Sequence, residues 1–179
     1  MAVLDLEWLI AEGIRWIGEQ RERFRNIAVP ITSALTREFD RYFSAATIEA
    51  ARVAVVGRIE NPDFYATIER AGQPIPLDFS EMHGIAYIDT ILVREVAAGT
   101  QALRSLVFHE LVHVAQYQHL GLGQFVNRYV VGWAENGRDY CRIPLERDAF
   151  ELQAKFEQSF GNPFSVEQAV ASRLGQGLS

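Results

Sequence analysis

The feature that most constrains this chain is a pair of histidines in the stretch Phe108–Gln116, which reads FHELVHVAQ. No proline or glycine lies between Leu103 and Leu120, so the whole segment can form one uninterrupted helix. Residues four apart on a helix lie one above the other, so His109 and His113 point the same way. Two imidazoles at that spacing can bind one zinc ion, with Glu110 placed to accept a proton from water. The pattern indicates zinc-activated hydrolysis, most often of a peptide bond.

The H-E-x-x-H pattern also has a purely structural explanation, without a metal. About 1 in 100 shuffled chains of this composition would contain H-E-x-x-H by chance, and two buried histidines can simply be hydrogen-bonded in a core. The surrounding pattern places the motif within or beside the face turned toward the core. Apolar residues recur there at helical spacing, at Leu103, Leu106, Val107, Val114 and Tyr117.

Composition limits the class of protein. With 179 residues, of which 49% are hydrophobic and 22% charged, the chain fits one globular domain with a full core. The net charge of -6 and the lack of a basic stripe argue against nucleic-acid binding. The single cysteine, Cys141, excludes an intrachain disulfide framework. Because no signal peptide pattern and no apolar run long enough to span a bilayer is found, we expect a cytoplasmic protein.

Hydrophobic periodicity predicts one α+β domain over 1–179, mostly helical, with a small β-sheet next to the H-E-x-x-H helix. We expect a helical N-terminal part over 1–45, a small sheet and loop over 46–95, metal-binding helices over 96–160 and a C-terminal tail over 161–179.

The finer pattern predicts individual elements. Helices are expected over about 4–26, 32–43, 101–120, 124–135 and from Pro144 onward, with Gly121 and Gly123 ending the metal helix. Strands are expected over 52–60, with Val53 and Val55 on one face, and over 84–93. The region 64–82, rich in glycine and proline, is expected to be mainly a long surface loop.

A catalytic zinc site usually has three protein ligands, and the sequence offers four candidates for the third. His119 reproduces the outer spacing of the metzincin pattern, but Gln116 replaces its glycine. If the helix continues, His119 lies roughly 240° round from His113 and cannot reach the same ion. His83, in the loop before the second strand, has no spacing rule in its favour. The third candidate is Glu135, which has a second acid, Asp139, four residues further on. A glycine in a turn signal lies between these two acids, so a solvated helix end explains them more simply.

Glu146 is the candidate that we favour. It falls in the first turn of the last long helix, beside the apolar stripe that contains Leu145 and Ala149. Ala149 is small enough to let this helix approach the metal helix closely. A carboxylate from that position would complete a His-His-Glu set with His109 and His113. The alternative is an acid that only stabilises the N-terminus of its helix.

These segments resemble a known protein family. The stretch 109–117, then Phe125 and Tyr129, then 140–150 with its Pro-Leu-Glu-x-x-Ala core, look like the small, largely uncharacterised bacterial gluzincins called the minigluzincin group. The likeness is clearest over about 77–156. It implies a compact zincin-like α+β domain, with Glu146 as the third ligand. In zinc peptidases of this build, a strand near the site offers its backbone edge to an extended peptide, and an ordinary interior strand is the alternative.

The expected function is therefore hydrolysis of peptide bonds by a Zn²⁺-dependent metallopeptidase. His109, His113 and Glu146 would bind the metal, and Glu110 would be the general base. The expected partner is a peptide or protein substrate, with no nucleic acid and no membrane span, and the oligomeric state is left open. The alternative is a non-catalytic zinc-binding interaction or secretion-associated module with the same fold.

Overall fold

A computed structural model describes residues 5–100, 102–158 and 162–175 of the chain. The helices in these ranges are α1 (Leu6–Arg25), α2 (Ser33–Phe39), α3 (Ala45–Ala50), α4 (Tyr65–Arg70), α5 (Ala102–Glu135), α6 (Pro144–Gln158) and α7 (Val166–Gly175). The strands are β1 (Val29–Pro30), β2 (Arg52–Val56), β3 (Gly84–Tyr87) and β4 (Thr90–Arg94). Two single 3₁₀ turns cover Phe79–Glu81 and Tyr140–Arg142. The mostly helical α+β fold is the one that the sequence predicted.

The four strands form one mixed sheet in the order β1-β2-β4-β3. The central pair, β2 and β4, is parallel, with Ala54 opposite Leu92, and the two outer pairings are antiparallel. Strand β3 therefore lies at one edge of the sheet, and it is the strand that packs most closely against α5. This arrangement brings a sheet edge beside the helix that contains the H-E-x-x-H motif.

Helix α5 contains the predicted break. Gly121 has φ 73° and ψ 162°, a backbone conformation that glycine adopts without a steric penalty, and the helix changes direction there. Gly123, by contrast, lies inside the second half of the helix. The first half contains the motif, and the second half folds back so that Phe125 stacks on Tyr117, with 3.6 Å between ring centroids.

Several short elements differ from the prediction. The stretch 84–93 is two strands rather than one, because a turn with Ile88 at φ 63° separates β3 from β4. Asp89 in that turn accepts hydrogen bonds from Arg21 at 2.9 and 2.8 Å, which ties the turn to α1. The region 64–82 contains α4, and α3 and β1 were not predicted at all. Such short elements depend on contacts with distant parts of the chain, which local periodicity does not encode.

On β2, the face that contains Val53 and Val55 is not the buried one, because Val55 is exposed and its neighbour Ala54 is buried. At the C-terminus, α7 falls within the predicted tail. No described helix is both long and apolar enough to cross a membrane.

A continuous hydrophobic core holds α5 at its centre. Phe108 is fully buried and stacks on Phe156 of α6, with 4.1 Å between ring centroids. Phe39 and Tyr42 contact the same two rings edge-on. Burying rings of this size stabilises the packing of α6 against α5 by several kcal/mol in order of magnitude. The core therefore fixes α6 relative to α5.

Candidate metal centre

The first half of α5 places His109, Glu110 and His113 in the interior. Each is no more than 5% exposed, although burying a polar side chain is costly unless it finds a partner. The helix is nevertheless held in this position, because Leu111, Val112 and Val114 on the same turns are fully buried in the core. A cluster of polar groups forced into the interior in this way needs partners from elsewhere in the fold.

Helix α6 supplies the principal partner, Glu146, which is also buried. The start of α6 can come this close because Gly132 of α5 has no side chain. A Cβ atom added at Gly132 would lie 2.6 Å from Cδ of Pro144, the first residue of α6. One turn further along, Ala149 is completely buried. The structure thus shows a close approach of α6 to α5 at Gly132, a residue that the sequence analysis did not single out.

Three ligand atoms converge at one point. The Nε2 atoms of His109 and His113 are 3.1 Å apart, and each lies 3.3 Å from Oε2 of Glu146. For a tetrahedral zinc with bonds of about 2.0–2.2 Å, adjacent ligand atoms are roughly 3.3–3.6 Å apart, so the observed separations are close to those of a bound site. These three buried residues form a group that can hold a metal ion.

The other ring nitrogen of each histidine, Nδ1, also has a side-chain partner. Nδ1 of His113 is 2.8 Å from Oε1 of Gln116, and Nδ1 of His109 is 3.1 Å from Oε1 of Gln153. The amide nitrogens of these glutamines donate to Leu145 O and to Glu157 Oε1, so each amide oxygen faces its ring. In a neutral imidazole held this way, Nδ1 carries the proton that is donated to the amide, and Nε2 has its lone pair directed at the shared site.

Two tyrosines orient the carboxylate of Glu146. The Tyr129 hydroxyl donates to Oε1 and the Tyr140 hydroxyl to Oε2, both at 2.8 Å. Tyr129 comes from the second half of α5, and Tyr140 from the turn just before α6. A carboxylate held at both oxygens has one defined orientation, with Oε2 directed at the two histidines.

The charges of these groups are coupled. Burial alone would raise the pKa of Glu146, but His113 and His109 outweigh it and hold that pKa well below its usual range. Burial lowers the pKa of His113, but the Glu146 carboxylate more than compensates and raises it to about 9. Without a metal, the cluster therefore keeps a proton on His113 at neutral pH, balanced by the negative charge of Glu146.

Glu110 stands apart from the three ligand atoms. Burial raises the pKa of its carboxyl group, although the nearby histidines partly oppose the shift. No hydrogen bond from the described part of the chain reaches its carboxylate. A Cβ atom added at Gly84 of β3 would lie 2.8 Å from Oε1 of Glu110, so the carboxylate occupies the space beside a glycine of the edge strand.

A cleft opens beside this cluster. It has a volume of about 850 Å³, including space open to solvent, and Glu110, His113 and Glu146 lie on its wall. The rest of its lining is mostly apolar and aromatic, supplied by α1, β3, the loop before β3 and the second half of α5. A mostly apolar cleft with a few polar groups on its wall is typical of a ligand-binding site.

The backbone of β3 is available along this cleft. His83 O accepts a hydrogen bond from Arg94 N at 2.8 Å, so in the antiparallel ladder Gly84 and Ala86 direct their N–H and C=O groups away from β4. Nothing in the described ranges hydrogen-bonds to those groups. The second predicted strand is therefore an edge strand in its first half, rather than an interior strand throughout.

The remaining candidates lie elsewhere. His83, His119 and Glu135 are exposed and are not part of the buried group. The helix continues through Gln116, as expected, so His119 faces solvent. Cys141 is exposed.

Gln116, which replaces the glycine of the metzincin pattern, contacts His113. Sequence reasoning missed the contributions of Tyr129 and Gln153. The only signal for Gln153 is its place one turn after Ala149 on α6.

Comparisons with known proteins add no assignment: no family model matches the chain, and no similar curated protein or solved structure was found.

Proposed function

We propose that this protein is a zinc-dependent metallopeptidase of gluzincin type, with His109, His113 and Glu146 as zinc ligands and Glu110 as general base. The observation that carries the proposal is the convergence of three ligand atoms, 3.1–3.3 Å apart, beside an unpaired carboxylate on a cleft. A purely structural metal site has no need of that additional carboxylate.

The donor set supports zinc as the metal. Two neutral imidazole nitrogens and one carboxylate oxygen are a common set for catalytic zinc, and three protein ligands leave one position open. When bound, zinc polarises a carbonyl and lowers the pKa of water toward about 7. Gln116 and Gln153 hold the imidazoles in the tautomer that this binding requires.

Glu110 has the properties of a general base and acid. Its carboxylate lines the cleft and is not a member of the metal-binding group, so it is free to accept a proton from water. Burial raises the pKa of this carboxyl group, which brings it closer to the pH at which a proton must be both accepted and released. The same carboxyl group would then deliver that proton to the amine that leaves.

The edge strand favours a peptide as substrate. Gly84 and Ala86 direct unpaired main-chain donors and acceptors along the cleft, and an extended peptide can add to such an edge as a further strand. Glu110 lies directly beside Gly84, so a peptide paired there would pass over the proposed base.

Glu110→Gln tests the enzymatic role. The amide nearly preserves the shape of the carboxylate but cannot accept a proton, so we expect zinc content to be unchanged. Cleavage of a degenerate peptide mixture, followed by mass spectrometry, should fall by roughly 10²–10⁴-fold. Glu135→Gln, at an exposed position of α5, is the control that should keep wild-type cleavage.

Zinc-loaded wild-type protein that cleaves no member of the mixture would contradict the proposal and favour a non-catalytic zinc-binding module. Equal cleavage by wild type and Glu110→Gln would contradict the role assigned to Glu110.

A further inference from the structure

Two tyrosine hydroxyls in the cleft form no hydrogen bond with any residue that the structure describes. Tyr87 of β3 and Tyr117 of α5 are 1% and 4% exposed, and both lie on the cleft wall. Every other tyrosine on that wall, namely Tyr129 and Tyr140, donates its hydroxyl to Glu146. Neither Tyr87 nor Tyr117 hydrogen-bonds through its hydroxyl to any residue that the structure describes.

Both hydroxyl oxygens are open to the cleft, since the fully buried polar atoms without a partner among the described residues are Arg94 Nε and Trp133 Nε1. A molecule in the cleft can therefore form hydrogen bonds with both hydroxyls. Burial raises the pKa of both hydroxyls, so at neutral pH each keeps its proton and can donate as well as accept a hydrogen bond.

The two tyrosines are positioned with the proposed catalytic groups. Glu110, His113 and Tyr117 follow one another at intervals of three and four residues, so they share one face of α5, and all three line the cleft. Tyr87 ends β3, the strand whose first residue lies against Glu110. The hydroxyls are therefore part of the same wall as the metal-binding cluster.

The rest of this part of the cleft is apolar. Trp16 is buried and meets the Tyr87 ring edge-on, with 5.2 Å between centroids, and Leu9, Phe79 and Val126 add further apolar surface. No lysine or arginine is found among the described residues of the lining, whereas Glu110 and Glu146 are both there. An anionic group would find no counter-charge, so the cleft suits a neutral one.

We propose that this part of the cleft is a specificity subsite that takes a neutral aromatic side chain with a polar tip, the chemistry of tyrosine. Apolar walls would cover the ring, and the Tyr87 and Tyr117 hydroxyls would hydrogen-bond to the phenol oxygen. The inference rests on the proposed function only in naming a peptide side chain as the occupant, and binding itself requires no hydrolysis.

Binding of p-cresol and toluene, the side-chain analogues of tyrosine and phenylalanine, distinguishes the proposed subsite from a purely apolar cavity. A purely apolar cavity prefers toluene, because removing the phenol from water without a partner is unfavourable. With two hydroxyls to pair with, p-cresol should bind about 10-fold more tightly than toluene. Dissociation constants can be measured by nuclear magnetic resonance titration of the wild-type protein.

The double variant Tyr87→Phe, Tyr117→Phe should reverse the order, so that toluene binds more tightly. Tyr42→Phe is the matched control: Tyr42 is equally buried but packs against Phe108 and Phe156, outside the cleft lining, and its loss should leave the p-cresol preference intact. Thermal unfolding of each variant checks that the fold is retained.

Tighter binding of toluene by the wild-type protein, or no binding of either analogue, would overturn the subsite. A p-cresol preference that survives in the double variant would do the same. Because neither analogue contains a peptide bond, a p-cresol preference lost only in the double variant supports the subsite even if no peptide is cleaved. Such a preference without any peptide cleavage would contradict the proposed function but not the subsite.

Discussion

Glu146 illustrates what single residues contribute to this site. From the sequence it competes with an ordinary helix-stabilising acid, since glutamate in a first helical turn is common. In the structure it is buried between two histidines and two tyrosine hydroxyls. A carboxylate so placed needs positive charge nearby, which His113 or a metal ion supplies.

The charge coupling predicts proton release when zinc binds. Because Glu146 raises the pKa of His113 to about 9, the metal-free protein carries a proton there at pH 7, and zinc must displace it. We expect about one proton released per zinc at pH 7, falling toward zero as the pH rises above about 9. Calorimetric titrations in buffers of different ionisation enthalpy measure this number.

A binding heat at pH 7 that is the same in every buffer would contradict the assignment.

The raised pKa of His113 also determines how the stability of the metal-free protein changes with pH. Its contribution to stability is complete below the ordinary histidine pKa of about 6.5 and is lost as the pH rises through about 9.

Gln153 provides a test of the contacts around the ligands. Its amide oxygen is 3.1 Å from Nδ1 of His109, and the residue is only half-buried, so Gln153→Ala should leave the fold intact. Losing this contact frees the imidazole to rotate, and zinc affinity should fall about 10–100-fold in a competition titration with a coloured chelator. Gln168→Ala, on the exposed face of α7, should leave the affinity unchanged.

Unchanged zinc affinity in Gln153→Ala would mean that the His109 ring is held by packing alone. Phe150, whose ring centroid is 4.6 Å from that of His109, would then be the residue responsible.

Among the secondary-structure elements, the approach of α6 to α5 determines where Glu146 lies. Gly132→Ala should push Pro144 away, because the new Cβ would be 2.6 Å from Cδ of a rigid ring. We expect a loss of about 1–3 kcal/mol of unfolding free energy, together with weaker zinc binding. Denaturant unfolding and zinc titration of the variant measure the two effects.

Gly123→Ala is the matched control, since it lies in the same half of α5 and its Cβ would meet nothing within 4 Å. Alanine there should be neutral or stabilise the protein by up to about 1 kcal/mol. Equal behaviour of the two variants would contradict the close helix approach.

The sequence predicted long elements better than short ones. The H-E-x-x-H helix, its break at Gly121 and the start of α6 at Pro144 follow from periodicity and from the conformational limits of glycine and proline. The division of 84–93 into two strands was missed because Ile88, at φ 63°, is a residue that rarely makes such a turn. That turn is stabilised by Arg21, which lies 68 positions away from Asp89.

For the molecule as a whole, the core and the site are parts of the same packing. The aromatic cluster around Phe108 and Phe156 joins α5 to α6, and the metal-binding group spans the same two helices. His109, Glu110 and His113 could be selected from spacing alone, and Glu146 from its place in the first turn of α6 and from the family resemblance. Tyr129, Gln153, Tyr87 and Tyr117 could not, because their roles depend on how α5 bends back and on the place of β3 in the sheet.

Metal content tests the central claim most directly. Protein purified without added zinc should be measured by mass spectrometry, comparing wild type with Glu146→Ala and with Glu135→Ala, whose glutamate is exposed. We expect about one zinc per chain in wild type and in Glu135→Ala, and its loss in Glu146→Ala. No metal in the wild-type protein, even after zinc is supplied, would contradict the account and leave the motif as a chance pattern in a core helix.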